Sequence, residues 1–228
     1  MSDEGRTVKD IVVFGIQDFA SLAHFYLTHD TTYRVVAFSV SKDYMPNERT
    51  FEGLPVVPFE EIEEQYGPSR CHFFAPMAPR KMNKIRESIY NQIKNKGYEC
   101  ISYVSSKATV FPGAAFGENC FILEDNTIQP FTPIGNNVVL WSGNHIGHHG
   151  VIKDHVMFTS HVVLSGHCTV EPYCFFGVNA TIRDGLHIAE GSFIAMGACV
   201  TRDTEPWGVY MGSPAKKRED KSSMDLEF

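Results

Sequence analysis

The sequence predicts two architectures in one chain: an α/β domain with a small parallel sheet over residues 1–103, and an all-β parallel helix of stacked coils over 104–205, followed by a tail, 206–228. Three observations predict this. Apolar, strand-like runs alternate with helix-like stretches through the first hundred residues. That alternation stops at Val104. From there a large apolar residue returns at every sixth position without a single insertion.

In the first domain, Asp10-Ile11-Val12-Val13-Phe14-Gly15 is an apolar run ending in Gly, and Arg34 to Val40 is a second. Ala20 to Leu27 between them fits a short helix, and Cys71 to Ala75 reads as a third buried strand. From Arg80 to Lys96, Met82, Ile85, Ile89 and Ile93 recur at helical spacing, with Gly97 as the stop. Apolar strands alternating with helices predict a parallel, Rossmann-like sheet.

The second domain reads Val104, Val110, Phe116, Ile122, Ile128, Ile134, Leu140, Ile146, Ile152, Phe158, Leu164, Val170, Phe176, Ile182, Ile188, Ile194 and Val200 at six-residue steps. Four places after the large residue the side chain is mostly small, as at Ala108, Cys120, Thr132, Gly150, Cys168, Ala180 and Ala198. A strict period of six marks a β-helix of hexapeptide repeats, each giving one short strand and one corner. Burying each aliphatic contributes roughly 1.5–3 kcal/mol, so slippage by one residue would forfeit tens of kcal/mol. Periodicity alone leaves the number of faces and the handedness open.

A hydrophobic content of 43% and a charged content of 21% are those of an ordinary globular protein. The net charge of −7 argues against a nucleic-acid partner, whose phosphates call for Lys and Arg. The longest apolar run is too short for a bilayer and MSDEGRTVKD is too polar for a signal peptide, so no membrane partner and a cytoplasmic location are expected. The six cysteines, at 71, 100, 120, 168, 174 and 199, form no CxxC pair and read as small core residues.

Six of the ten histidines lie between Ser142 and His167, in SGNHIGHHGVIKDHVMFTSHVVLSGH. Counting the aliphatic as position one, His149, His155, His161 and His167 occupy position four, His148 position three and His145 position six. An imidazole titrates near pH 6.5 and suits proton transfer at neutral pH.

The seventeen hexads, the histidine cluster and the Gly212-Ser213-Pro214-Ala215-Lys216 segment resemble the hexapeptide-repeat sugar O- and N-acyltransferases of the sialic-acid O-acetyltransferase type. The resemblance implies a left-handed β-helix of eighteen-residue coils, a homotrimer with its active site between neighbouring subunits, acetyl-CoA as co-substrate and a sugar, often nucleotide-linked, as acceptor. On such a coil His149 and His167 stack, while His155 and His161 fall at other corners. The family's general base matches His148, with His149 standing where an acidic residue usually follows; the alternatives are His149 as the base, then His145 or no catalytic histidine. The orienting carboxylate is then Glu124, Asp154 or absent. No nucleophilic residue is required, and the amide of Gly166 lies where an oxyanion donor sits, although a tight corner also explains a Gly there.

By the same resemblance, CoA lies along Gly177 and Asn179, then Gly197 and Ala198, then Pro214 and Lys216, with Lys217 and Arg218 near its phosphates; a corner also explains Asn179. The sugar nucleotide is expected at Gly15, Gln17 and Asp18 of the first strand–helix turn. Trp141, Asn144 and His145 are candidates for the sugar ring, with Trp141 equally suited to a subunit contact. No metal is expected. The competing readings are a zinc enzyme similar to the γ-class carbonic anhydrases, from which this chain departs by lacking a His-x4-His pair in the hexads, and a silent β-helix scaffold.

Overall fold

The computed structural model describes residues 9–226; the polar opening stretch, as far as residue 8, lies outside that range. The chain divides into two compact units, Met1–Met77 with Ile89–Ile101, and Ala78–Ser88 with Ser102–Phe228. The change of unit after Ile101 falls close to the expected boundary at 103, whereas Ala78–Ser88 departs from it by joining the second unit.

In the first unit β1 (Asp10–Phe14) leads through α1 (Asp18–Asp30) to β2 (Arg34–Val40). β3 (Thr50–Phe51), β4 (Leu54–Pro58), the short α2 (Ile62–Gln65) and β5 (Cys71–Phe74) follow. The sheet order is β3-β4-β2-β1-β5, parallel except for β3, which pairs antiparallel with β4 at the edge. Val12, Ala37, Val57 and Phe73 are buried in its core, where Phe73 meets Phe59 and Tyr98 edge-on. Sequence reasoning missed β4 because Pro55 and Pro58 bracket Val56-Val57, and proline removes a ladder donor.

The third helix, α3, runs Lys84–Asn95 and starts four residues later than the periodicity predicts. Lys81, Met82 and Asn83 have φ of +49°, +48° and +64°, a left-handed turn that no α-helix accommodates. Its C-terminal stop is Gly97, with φ of +84°.

The second unit is the expected β-helix. Each strand pairs in parallel with the strand eighteen residues on, as Leu140 with Phe158, Ile146 with Leu164 and Ile152 with Val170. Three hexads therefore close one coil, and the strands sort onto three faces. The first face carries Val139–Leu140 and Met157–Phe158, the second His145–Ile146 and Val163–Leu164, the third Val151–Ile152 and Thr169–Val170. From Ile122 to Val200 every large residue of the six-step series is buried in one continuous core. Phe158 and Phe176 stack one coil apart at 4.2 Å between centroids.

The corners explain the other half of the repeat. At position four, every residue from Gly113 to Gly197 at six-residue steps has positive φ; the non-glycines are Asn119, Asp125, Phe131, Asn137, His149, His155, His161, His167, Tyr173 and Asn179. Asn, Asp and His are the side chains that tolerate this conformation best. Four of the six clustered histidines thus stand where the backbone asks for their residue type. Position-four residues eighteen apart share an edge of the prism, giving three edges: Phe131–His149–His167, Asn137–His155–Tyr173, and Gly143–His161–Asn179.

The segment expected as a tail is instead structured. Gly208–Met211 extends the first face by pairing with Phe193–Ile194, and Lys216–Ser222 folds back antiparallel on it. The coil from Ile194 to Tyr210 is two residues short of eighteen, so the hexad frame ends although the core continues through Tyr210. Five of the six cysteines are buried and all are free; burial pushes the Cys120 and Cys174 thiols up to about 11 and about 12, which keeps them inert.

Candidate active site

The edge between the second and third faces brings together three of the clustered histidines. His148 follows the strand His145–Ile146, and its backbone N–H donates to Gln129 Oε1 at 3.1 Å. Its ring lies over Gly166, one coil along: a Cβ at 166 would stand 2.9 Å from His148 Cε1 and 3.1 Å from Nε2. Gly166 has no positive φ, so the corner does not need a glycine there; the imidazole does. Among the described residues no group accepts from the Gly166 N–H.

His148 Nδ1 lies 3.0 Å from His149 Nδ1, so one ring carries a proton there and the other accepts it. His149 stacks on His167 at 5.3 Å with 18° between planes, and His148 stands perpendicular to both at 5.1 Å. Phe131 closes the far side of His149 at 4.7 Å. One nitrogen from each of the three imidazoles falls within 4.8 Å of the others, all three exposed. Three of the six clustered histidines thus converge within one chain: the frame stacks His149 on His167, and His148, one residue earlier, turns over the same edge.

The other expected residues are distributed as follows. Neither proposed carboxylate reaches His148: Glu124 accepts from Ser142 Oγ at 2.6 Å on the Asn179 edge, and Asp154 accepts from the Asn136 N–H at 2.7 Å on the His155 edge. His145 is half-buried on the second face. Trp141 begins the Asn179 edge, across the second face from His148 and so not beside it in the same chain. Asn144 is buried, its Nδ2 donating to the Trp141 carbonyl and its Oδ1 accepting from the Val162 N–H at 2.8 Å. The expectation that Asn144 reaches a sugar is therefore corrected, since the coil uses both ends of its amide.

Gly177, Asn179 and Gly197 line the Asn179 edge, where the exposed Met196 and Val178 offer apolar surface. Ala198 is corrected as a cofactor contact: its side chain is in the core, and its N–H and C=O bond Ala195 and Thr181. Pro214 lies in the exposed turn of the terminal hairpin and Lys216 at the start of its second strand. Lys217 pairs with Glu205 and Arg218 with Asp220, and among the described residues Lys216 is the one cation of the three without an ion pair. In the first unit Gly15 follows β1 with φ of +114°, and Gln17 and Asp18 are exposed at the start of α1. A cavity of about 340 Å³ on the third face, lined by Pro133, Val151, Lys153, Asp154 and Pro172, includes none of the three imidazoles.

His155 stands on another edge. It is buried, stacks on Tyr173 at 5.4 Å and meets Asn137 Nδ2 at 3.0 Å, and burial holds its pKa below the usual imidazole value. Beside it lies a group that sequence reasoning missed, the wholly buried Arg86, whose Nη2 donates to the Asn137 carbonyl at 2.7 Å and Nη1 to Asn83 Oδ1 at 2.9 Å. Burial without a carboxylate partner lowers its pKa to about 10. His187 is exposed and paired with Glu171.

No family model matches the chain. A 49-residue stretch is 41% identical to a 2,3,4,5-tetrahydropyridine-2,6-dicarboxylate N-acetyltransferase of Ligilactobacillus salivarius (strain UCC118), covering 22% of this chain and 21% of that protein. The chain thus spans about a fifth of the length of that curated relative. Among solved structures, PerB from Caulobacter crescentus, in complex with CoA and GDP-perosamine, superposes with a TM-score of 0.82 at 19% identity over 93% of this chain and 98% of that one. The acetyltransferase domain of PglB from Neisseria gonorrhoeae FA1090 gives 0.81 at 18% over 92% and 100%. WeeI from Acinetobacter baumannii AYE gives 0.78 at 18% over 92% and 100%. The chain shares its fold with these proteins across nearly its whole length.

Proposed function

We propose, from this shared fold and the imidazole held over Gly166, that the protein is an acetyl-CoA-dependent acetyltransferase acting on an amine or hydroxyl of a sugar, nucleotide-linked or related. The one observation that carries the reading is the His148 ring lying against Gly166, from whose N–H no described group accepts. The acceptor's N–H or O–H loses its proton to His148 as its lone pair attacks the thioester carbonyl. The Gly166 N–H stabilises the tetrahedral oxyanion. The C–S bond then breaks, the thiolate leaves, and the imidazolium returns the proton. His149 takes the orienting place that a carboxylate fills in comparable dyads: its Nδ1 fixes the tautomer of His148 and so leaves Nε2 as the base.

The Asn179 edge and the His149 edge lie at opposite ends of the second face, so a single chain does not bring its expected CoA groove to its base. A trimer that apposes one chain's Asn179 edge to the next chain's His149 edge supplies the complete site, and Trp141 enters it from that neighbouring edge. In this reading the helix is left-handed and the first unit is Rossmann-like. β1 lies between β2 and β5 where the strand order reverses, and a nucleotide's phosphates are placed at Gly15, Gln17 and Asp18. The fold relatives include one solved with CoA and GDP-perosamine, which supports this class of donor and acceptor for the present chain.

The deciding experiment is thiol release from acetyl-CoA against a panel of amino sugars and their nucleotide conjugates. Turnover with at least one acceptor, lost in His148→Ala while the assembly persists, supports the proposal. Near-wild-type turnover in that variant would falsify the choice of base.

A further inference from the structure

Three imidazoles converging on one point are also a ligand set. The geometry points to a divalent transition-metal site formed by His148, His149 and His167, at which bound metal takes the lone pair of the base and stops acyl transfer. The inhibitory consequence rests on the function proposed above; the binding site does not.

The three rings are held by backbone rather than by flexible stems. His149 and His167 sit at left-handed corners one coil apart, with φ of +54° and +60°, so their Cα–Cβ directions follow from the coil itself. His148 reaches between them because Gly166 has no Cβ to block it, and Phe131 packs against His149. Zinc–imidazole bonds of roughly 2.0–2.1 Å need ligand nitrogens about 3.3 Å apart in a tetrahedron. The His148 and His149 Nδ1 atoms already stand 3.0 Å apart, and the whole set lies within 4.8 Å, so side-chain rotation alone closes the site.

The donor set names the metal class. Three neutral nitrogens without a carboxylate suit Zn²⁺, Ni²⁺ or Cu²⁺ and leave Mg²⁺ and Ca²⁺, which prefer oxygen, without ligands. The remaining coordination position falls to water or substrate. Ligation through both Nδ1 atoms requires the proton they share to move to an Nε2, a change of tautomer that releases no proton. No metal is needed for the transfer reaction itself, and the site acts as a brake on it.

The test is calorimetric titration of the chelator-treated full chain with ZnCl₂ near neutral pH, together with the visible spectrum on adding Co²⁺. One equivalent per chain is expected, with the absorption of a tetrahedral nitrogen site. His149→Asn and His167→Asn each weaken binding by on the order of ten-fold or more; asparagine tolerates the same corner and keeps the fold. His161→Asn, the same change on another edge, leaves binding at the wild-type level. Equal affinity in all three variants, or no binding above that of a histidine-free surface, overturns the site. In the transfer assay Zn²⁺ should inhibit and chelator restore turnover; zinc bound at one equivalent with undiminished turnover overturns the brake. Zinc binding intact in a protein that acylates no acceptor even when metal-free would instead discard the proposed function and leave the site standing.

Discussion

At the scale of single residues, the proposed function predicts that Gly166 separates folding from catalysis. The nearest atoms to a Cβ there belong to the His148 ring, a side chain that can swing aside. Gly166→Ala is expected to keep its melting temperature within a few degrees while turnover falls by about 10²–10⁴-fold, the range for a displaced general base; thermal melts beside the acetyl-transfer assay check both halves. Gly147→Ala has the opposite signature. Its Cβ would lie 2.5 Å from Gly166 N and Ser165 C, atoms of the next coil's backbone that cannot swing. Overpacking of this kind costs about 1–3 kcal/mol, readable in denaturant unfolding. Neither difference was legible in the sequence, where Gly147 and Gly166 each read only as a glycine near a corner. His148 was legible as a candidate base, because a motif fixes chain position. Its partner was not: distances to Glu124 and Asp154 depend on which edge each occupies, and only the three-faced coil assigns edges.

At the scale of the element, the six-step series was legible because a stacked coil repeats one packing requirement seventeen times, and each repeat adds to the signal. The left-handed corners were legible in principle from the same frame, through the Gly, Asn, Asp and His collected at position four. This yields a graded expectation at His161, with φ of +60°. His161→Asn should leave stability nearly unchanged. His161→Val places a β-branched side chain in the left-handed region and should lose about 1–2 kcal/mol; paired urea titrations would reveal the contrast, and equal midpoints would show that the corner does not select its residue. The late start of α3 and the terminal hairpin were not legible. The first depends on a left-handed turn in ordinary residues, and the second on a coil shortened by two residues, for which the sequence carries no periodic sign.

At the scale of the whole molecule, stability should depend on pH through His155. Burial lowers its pKa, opposed by Glu87 and Asp154 and reinforced by Arg86 and Lys84. The folded chain therefore holds His155 neutral below the pH at which the unfolded chain protonates it, near 6.5. Stability attributable to this residue is complete above that pH and declines on acidification through the folded-state value. His155→Asn, which fits the same corner, should flatten the curve of unfolding free energy against pH below about 6.5; an unchanged slope would place the acid sensitivity elsewhere. Assembly belongs to this scale too. Sedimentation should give three chains per particle, and a monomer with full turnover would refute the shared site. The run of left-handed corners has one further consequence. A purely steric demand confines each ridge of the prism to a small alphabet, and that alphabet is already rich in proton carriers, amides and metal donors. Reactive chemistry can therefore arise along such a ridge by exchange among residues the scaffold accepts anyway, with no concession from its interior.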